Sequence, residues 1–304
     1  MRRFLLSLFA TMATASFAQY PPTPGTGTFS TIENLEYANV NGKPLLLDLR
    51  IPDGPGPHPV ILYLHSGAWI TGDRTGGPAI RQASRGYAVA SIDYRLAPSS
   101  TWPAQIEDCK AAVRWLRANA ARFQLDPGRI GVFGTSAGGH LAAVLGTSGG
   151  VGALEGPELG NGGYSSRVKV VIDYYGPTDL LKLDEQKLPC LPLDGNSLFM
   201  PPSLLMGCAI QQCPEKTESA NPIAYASADD PPFLIVHGMR DCLVGWQQSQ
   251  MLHDALPQST LVLLPNGEHG GSAFDEQKVK QLVSDFLDRN LRGPLEPAKR
   301  RAAR

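Results

Sequence analysis

The sequence predicts an α/β fold, in which a mostly parallel sheet carries helices on both faces. Short apolar runs of strand length alternate with longer amphipathic stretches along most of the chain, which is typical of repeated strand–helix units. Asn41-Gly42 separates the first two runs, and this pair strongly favours a hairpin turn. The chain has 304 residues, 42% of them hydrophobic, which suffices for one large domain or two small ones.

Eight strands and four helices are expected in chain order. The predicted strands are residues 32–39, 44–50, 60–64, 87–92, 130–133, 168–174, 233–236 and 261–264. Apolar residues recur at helical spacing over residues 104–121, 137–146, 247–256 and 276–291. A hairpin followed by strand–helix units predicts one domain over residues 32–291, built on an eight-stranded, mostly parallel sheet.

Three segments do not follow this alternation of strands and helices. Residues 181–221 are rich in proline and cysteine and poorly periodic, and a long irregular stretch of this kind is usually functional. We therefore expect residues 181–221, the lid segment, to form a small lid over the site. Residues 19–31 are predicted to be a flexible lead-in, and residues 292–304 a disordered basic tail.

Residues 1–18 have the three-part pattern of a secretory signal, with a basic pair, a short apolar run and small residues up to Ala18. Cleavage is expected after Ala18, which predicts a secreted or periplasmic protein. A membrane anchor is the alternative, but the apolar run is shorter than the roughly 18 residues that a span requires. The net charge of −1 favours neither nucleic acid nor an anionic membrane as a partner, and the sequence does not indicate an oligomeric state.

The interpretation of the five cysteines depends on whether the protein is exported. Cys190, Cys208, Cys213 and Cys242 lie in one late part of the chain, and in an oxidising compartment they favour two disulfides with three possible connectivities. Cys109, in a predicted helix, is expected to be a small buried residue. Five reduced thiols are the alternative. No C-x-x-C spacing supports zinc, and no metal site is predicted.

Gly134-Thr-Ser-Ala-Gly138 matches the G-x-S-x-G pattern of a nucleophilic serine. The motif lies between a predicted strand and a predicted helix, so its central serine would occupy a strained turn at the helix N-terminus. Free N–H groups there favour developing negative charge. The alternative, a phosphate-binding loop, would need a lysine that this stretch lacks. Ser136 is therefore the predicted nucleophile.

A serine nucleophile needs a general base and an acid that orients the base. Asp241 and His269 each follow a predicted strand, and loops at the carboxyl ends of parallel strands converge on one edge of the sheet. We predict His269 as the base and Asp241 as its orienting acid. The competing residues lie before a strand, on a helix, or directly beside the histidine. They are His58, His140, His253, Asp229, Asp230 and Glu268.

Several motifs together resemble the α/β-hydrolase superfamily, in its esterase and lipase branch related to hormone-sensitive lipase and acetyl esterases. They are His65-Ser-Gly-Ala-Trp69, Asp93-Tyr-Arg-Leu-Ala-Pro98, Trp102-Pro-Ala with Asp108, Gly134–Gly138, His237-Gly-Met-Arg-Asp241 and His269. The resemblance runs from about residue 32 to residue 291 and is greatest to bacterial secreted esterases grouped with feruloyl esterases. It implies an α/β-hydrolase fold and no cofactor.

The resemblance also implies an oxyanion hole made of backbone N–H groups, from Gly67, Ser66 and Ala137. Ser66 and Ala68 stand where the family has glycines. The family often has proline near its acid, where this chain has Cys242-Leu-Val-Gly245, and a disulfide at Cys242 would stiffen the Asp241 loop instead. Asp93, Arg95 and Asp108 match family positions, at which we expect internal ion pairs.

The predicted function is a secreted serine carboxylesterase acting on a small-molecule or polymer-linked ester, with a short acyl group or an aromatic or carbohydrate-linked one. Trp69, Trp102 and Trp246 are candidates for lining the cleft, with core packing as the alternative. A serine exopeptidase of the same fold and a non-catalytic binding protein are the rival hypotheses.

Overall fold

The structure is a computed structural model that describes residues 27–190 and 197–292. The predicted signal (residues 1–18), most of the predicted lead-in and nearly all of the predicted tail lie outside the described residues, as do residues 191–196 of the lid segment. The expectations for those parts stay predictions.

Eight strands form one sheet in the order β1-β2-β4-β3-β5-β6-β7-β8. They are β1 Phe29–Val40, β2 Lys43–Pro52, β3 His58–Leu64, β4 Ala88–Ile92, β5 Leu125–Thr135, β6 Val171–Tyr174, β7 Phe233–Gly238 and β8 Ser259–Leu264. β2 pairs antiparallel with both β1 and β4, and all other neighbours are parallel. The predicted eight-stranded, mostly parallel sheet is confirmed.

Seven α-helices connect and cover the strands within the described residues. They are α1 Ala104–Ala118, α2 Ala137–Thr147, α3 Leu183–Gln186, α4 Pro201–Met206, α5 Pro214–Glu218, α6 Gln247–Ala255 and α7 Gln277–Leu287. Short 3-10 helices cover Pro78–Arg85, Gly152–Leu154, Pro157–Leu159, Leu180–Lys182, Ile210–Gln212, Pro222–Tyr225 and Ser272–Asp275, and a π-helical turn covers Asp288–Arg292. None of the helices described is long and apolar enough to cross a membrane.

The sheet separates two hydrophobic cores, because successive side chains of a strand point to opposite faces. In β3, Val60, Leu62 and Leu64 pack with α1, α2 and α6, whereas Ile61 and Tyr63 pack with the 3-10 helix Pro78–Arg85 and α7. All seven residues of β3 are buried. This two-sided burial explains why the central strands are continuous apolar runs in the sequence.

β1 begins earlier than the sequence predicted. Residues 29–31, assigned above to the lead-in, pair with Pro52, Ile51 and Arg50 of β2. β1 is an edge strand, and most of its first side chains are exposed, so no hydrophobic alternation marks where it starts.

Two disulfides involve the four late cysteines. Cys190 is bonded to Cys242 and Cys208 to Cys213, while Cys109 is a buried free thiol in α1. The first bond attaches the lid segment to the residue that follows Asp241. The lid segment, which the sequence left without regular structure, contains α3, α4 and α5.

We expect the two disulfides to contribute unequally to stability. Cys190 and Cys242 are 52 residues apart, whereas Cys208 and Cys213 are 5 apart. The loop-closure model then assigns roughly 4 kcal/mol to the first bond and roughly 2 kcal/mol to the second. Urea unfolding of the Cys190→Ser/Cys242→Ser pair, with Cys208→Ser/Cys213→Ser as the matched control, measures this difference. Equal losses would contradict loop closure as the cause.

Candidate active site

Ser136 occupies a sharp turn between β5 and α2. Its backbone has φ 54° and ψ −120°, an unfavourable region for a residue with a side chain. The flanking glycines leave the space that this turn needs. A Cβ on Gly134 would lie 1.9 Å from the carbonyl oxygen of Gly138, and a Cβ on Gly138 would lie 2.1 Å from that of Leu64. The G-x-S-x-G spacing therefore follows from backbone packing.

The structure brings Ser136, His269 and Asp241 into one hydrogen-bonded line. Ser136 Oγ lies 2.8 Å from His269 Nε2, and His269 Nδ1 lies 2.6 Å from Asp241 Oδ2. A carboxylate oxygen only accepts, so Nδ1 carries the proton and Nε2 is free to accept from the serine hydroxyl. This is the protonation state in which an imidazole can act as a general base.

Asp241 is almost fully buried, at 1% exposure, and is surrounded by donors. Its Oδ1 accepts the backbone N–H groups of Leu243 and Val244 at 2.8 and 2.9 Å. Burial alone would raise the pKa of Asp241, but hydrogen bonds from His237 and His269 hold that pKa well below its usual range. The carboxyl group is therefore ionised and can orient the base.

The loops after β7 and β8 approach each other closely, which brings the acid and the base together. A Cβ on Gly238 would lie 2.4 Å from the carbonyl oxygen of Glu268, so only glycine fits there. Arg240 donates its N–H to the carbonyl of Gly267 at 2.8 Å. The Asp241 loop and the His269 loop are thus joined by backbone contacts as well as by the side-chain hydrogen bond.

Tyr175, which the sequence analysis did not select, packs against the predicted base. Its ring meets that of His269 nearly edge to face, with centroids 4.8 Å apart. Tyr175 follows β6 directly and has a positive φ of 43°. No sequence pattern marks it, because its position depends on how this strand end lies beside the His269 loop.

The loop after β3 lies beside Ser136 and has an unusual backbone. Gly67, Ala68 and Trp69 have φ values of 120°, 52° and 61°. Gly67 is required, because a Cβ there would lie 2.0 Å from the carbonyl oxygen of Thr71. In the described part of the chain, no protein acceptor pairs with the N–H groups of Gly67, Ala68 or Ala137. These three groups are available to a ligand.

Ser66 is not among the residues that line the cavity beside Ser136, and its role as a backbone donor stays a prediction. It is exposed and lines a separate polar depression together with His65, Thr135 and Tyr175, whereas Ala68 lines the cavity beside Ser136. The side chain of His65 is turned back on its own loop, since Nδ1 contacts the carbonyl oxygen of Ser66 at 2.6 Å and the ring stacks on Tyr94. Three positive φ angles follow Ser66, and of the residues that have them, Ala68 and Trp69 line the cavity beside Ser136.

A cavity of about 150 Å³ opens beside Ser136 and His269. The loops after β3, β6 and β7 give it mostly apolar walls, and they contribute Ala68, Trp69, Pro177, Leu243 and Val244. The predicted lid segment provides the rest of this lining with Leu183, Asp184, Lys187, Met200, Pro201 and Pro202. Asp184 and Lys187 pair with each other at 2.9 Å, so the charge in the wall is balanced.

Of the three candidate tryptophans, Trp69 lines this cavity. Only 3% of its surface is exposed. Trp102 is equally buried and donates its indole N–H to Ser219 Oγ at 2.9 Å, and Trp246 lies just before α6; neither lines the cavity. The burial of Trp102 favours structural packing, whereas a part of Trp246 in substrate binding stays a prediction.

His140 holds Trp69 in place. It is fully buried on α2, where Nδ1 accepts the indole N–H of Trp69 at 3.2 Å and Nε2 donates to the carbonyl oxygen of Ala220 at 2.7 Å. Burial lowers the pKa of His140 to about 4, against the opposing effect of the Ala220 contact. A neutral histidine therefore links the loop after β3 to the end of the lid segment.

The remaining charged motif residues form ion pairs, as expected. Arg95 pairs with Asp108 at 2.7 Å and with Glu107 at 3.0 Å, while Asp93 pairs with Arg74.

Within residues 27–190 and 197–292, no group of three or more His, Cys, Asp or Glu side chains is placed to hold a metal ion.

Comparison with known proteins places the chain among esterases. The BD-FAE family model matches residues 47–256. Esterase LipC of Mycobacterium tuberculosis is 35% identical over 76% of this chain and 58% of its own length. Esterase LipQ of the same organism is 33% identical over 81% of this chain and 59% of its own. The chain thus spans less than two thirds of the length of these curated relatives.

Solved structures agree with this placement. A truncated carbohydrate esterase from gut microbiota superimposes with a TM-score of 0.73 at 29% identity, covering 88% of this chain and 97% of the other. The propionate-bound esterase Est2 of Thermogutta terrifontis gives a TM-score of 0.66 at 25% identity, covering 88% of this chain and 95% of its own.

The neutral state of His140 predicts a pH dependence of stability. The unfolded histidine takes up a proton near pH 6.5, whereas the folded one resists protonation down to about pH 4. The stabilising contribution is therefore complete above pH 6.5 and is lost as the pH falls towards 4, by about 3 kcal/mol in all. His140→Gln, which keeps an N–H donor for Ala220, should flatten this part of the stability profile. Chemical denaturation at pH 7, 6, 5 and 4 measures it, and His253→Gln should follow the unmodified protein.

Proposed function

We propose that this chain, which belongs to the BD-FAE family in the esterase and lipase branch of the α/β-hydrolase superfamily, is a serine carboxylesterase. One observation carries the proposal. The hydrogen-bonded line of Ser136, His269 and the ionised Asp241 lies beside a mostly apolar cavity, which is also lined by Ala68 and Ala137, whose backbone N–H groups have no acceptor among the described residues. Nucleophilic attack on an ester carbonyl requires each of these elements.

In the first half-reaction, Ser136 Oγ forms a bond to the ester carbonyl carbon as its proton moves to His269 Nε2. Asp241 stabilises the resulting imidazolium. The carbonyl electrons collect on the oxygen, and they return when the bond to the alcohol oxygen breaks. His269 gives its proton to the departing alcohol, which leaves an acyl group on Ser136. A water molecule, deprotonated by His269, then releases the acid by the same steps.

The negatively charged oxygen is bound by backbone N–H groups of Gly67, Ala68 and Ala137. This assignment keeps Gly67 and Ala137 from the sequence-based proposal and replaces Ser66 with Ala68. Its support is the position of Ala68 in the cavity wall and the unpaired state of the three N–H groups among the described residues. Each such donor contributes about 3–4 kcal/mol to stabilising the transition state.

The acyl group occupies the apolar cavity, which favours short acyl chains. A volume of about 150 Å³ is well below that of sites for larger ligands, and Trp69 and Leu183 bound it with apolar surface. Est2 with bound propionate and the gut carbohydrate esterase support a small acyl group and a carbohydrate-linked alcohol as the first substrates to examine.

Export to an oxidising compartment completes the proposal. The signal-like residues 1–18 and the two disulfides support it, since disulfides persist mainly outside reducing compartments. The candidate destinations are the periplasm and the extracellular medium.

Replacing the nucleophile tests the function directly. Ser136→Ala should lower the hydrolysis of p-nitrophenyl acetate by about 10⁴-fold or more, because no other group supplies the attacking oxygen. Circular dichroism and the denaturation midpoint serve as folding controls. Aminoacyl nitroanilides should not be hydrolysed by the unmodified protein. Ester hydrolysis that survives in Ser136→Ala, or efficient cleavage of the anilides, would refute the esterase proposal.

Filling the cavity tests the placement of the acyl group. Leu183→Trp puts a larger side chain into the cavity wall, so kcat/KM for p-nitrophenyl butyrate should fall about tenfold more than that for the acetate. Leu198→Trp is the matched control, because Leu198 is 58% exposed and does not line the cavity. An equal loss on both esters in Leu183→Trp would place the acyl group elsewhere.

A further inference from the structure

His237, near the end of β7, is a second histidine in contact with Asp241. It is completely buried. Its Nε2 lies 3.2 Å from Asp241 Oδ2 and 3.0 Å from the carbonyl oxygen of Val244. Its Nδ1 lies 2.6 Å from Ser249 Oγ on α6. Asp241 Oδ2 therefore lies between the two imidazoles of His237 and His269.

The partners of His237 fix its tautomer. Val244 and Asp241 present only acceptor oxygens to Nε2, so this nitrogen carries a proton. Ser249 has a hydroxyl that can donate, so Nδ1 can accept from it and the ring can stay neutral. The protonated Nε2 of His237 thus lies between the Val244 carbonyl oxygen at 3.0 Å and the Asp241 carboxylate at 3.2 Å, and interacts with both.

We infer that His237 is a positioning residue for the catalytic acid, which holds Asp241 Oδ2 towards His269 and draws negative charge away from that oxygen. This inference rests on the proposed function. The inference goes beyond the proposed function, because it assigns His237 a part in setting the basicity of His269. His237 itself contacts neither the substrate nor Ser136.

Four ionisable side chains lie around His237 and its contact with Asp241, and they are Asp241, His269, Tyr175 and Asp173. Asp241 lies between the histidines, and Tyr175, after β6, packs against His269. Asp173 in β6 interacts electrostatically with His237, and burial raises the pKa of Asp173 to about 6. Asp173 Oδ1 accepts the N–H of Gly176, whereas Oδ2 is buried with no hydrogen-bond partner among the described residues.

The direction of the effect follows from charge. If the N–H of His237 is removed, more negative charge stays on Asp241 Oδ2, where it stabilises the protonated form of His269. The base then stays protonated to higher pH. The acid limb of the kcat/KM profile should therefore move to higher pH, and kcat should fall because the carboxylate is less well held.

Two amide variants form a matched test. The amide nitrogen of His237→Gln reaches the place of Nε2 and keeps a donor for Asp241. The shorter His237→Asn places its amide at Nδ1, where it meets Ser249 but not Asp241. With p-nitrophenyl acetate, we expect His237→Asn to lose about tenfold or more in kcat with KM changed less than about threefold. Its acid limb should rise by about half a pH unit or more, and His237→Gln should stay near the unmodified enzyme in both respects.

Equal behaviour of the Asn and Gln variants, or an acid limb that does not move in His237→Asn, would overturn the inference. The comparison is repeated in an Asp173→Asn background, and a shift that vanishes there would assign the effect to Asp173 instead. Denaturation midpoints identify a variant that has merely lost stability, and the Gln variant keeps the test decisive if the Asn variant does not fold. Ester hydrolysis by Ser136→Ala would instead refute the proposed function, so the two failures are distinguishable.

Discussion

The turn at Ser136 is the constraint on which the site depends. A residue with a side chain holds a positive φ there, and contacts with both neighbouring strands fix the turn. Its N–H donates to the carbonyl of Tyr174 on β6, and Gly138 packs against the carbonyl of Leu64 on β3. The same contacts that place Ser136 therefore fix the ends of the two strands beside β5. The loop with Gly67 and Ala68 continues from β3, and Tyr175, which packs on His269, follows β6.

Sequence analysis succeeded where a local pattern has one physical cause. The runs in β3 and β5 are apolar because helices cover both faces of the sheet, so their existence and order were predictable. The spacing of Gly134, Ser136 and Gly138 matches a known local pattern, because backbone atoms of the turn and of β3 leave no room for a Cβ at either glycine. Chain order then suggested Asp241 and His269 as partners. The start of β1 was missed because an exposed edge strand buries too few side chains to leave a pattern.

Features that depend on contacts between distant segments could not be derived from the sequence. Whether Ser66 or Ala68 reaches the cavity depends on three consecutive positive φ angles, which no residue type there requires except Gly67. Trp102 donates its indole N–H to Ser219, 117 residues away, and no sequence pattern could have indicated this contact. The inferred role of His237 likewise depends on the position of the Asp241 carboxylate in the loop after β7, and the sequence alone does not give that position.

The pairing of the cysteines has a consequence for how the molecule is made. Cys208–Cys213 is nested inside Cys190–Cys242, so Cys190 must wait until 52 further residues have emerged before its native partner exists. A chain that oxidises in the order of its synthesis would first join Cys109 to Cys190, which is a non-native bond, and that bond would have to be exchanged. Oxidation in that order would require thiol exchange, by an isomerase or by a redox buffer that allows reshuffling. Because Cys109 is buried in α1, it becomes inaccessible to such exchange once the core has formed.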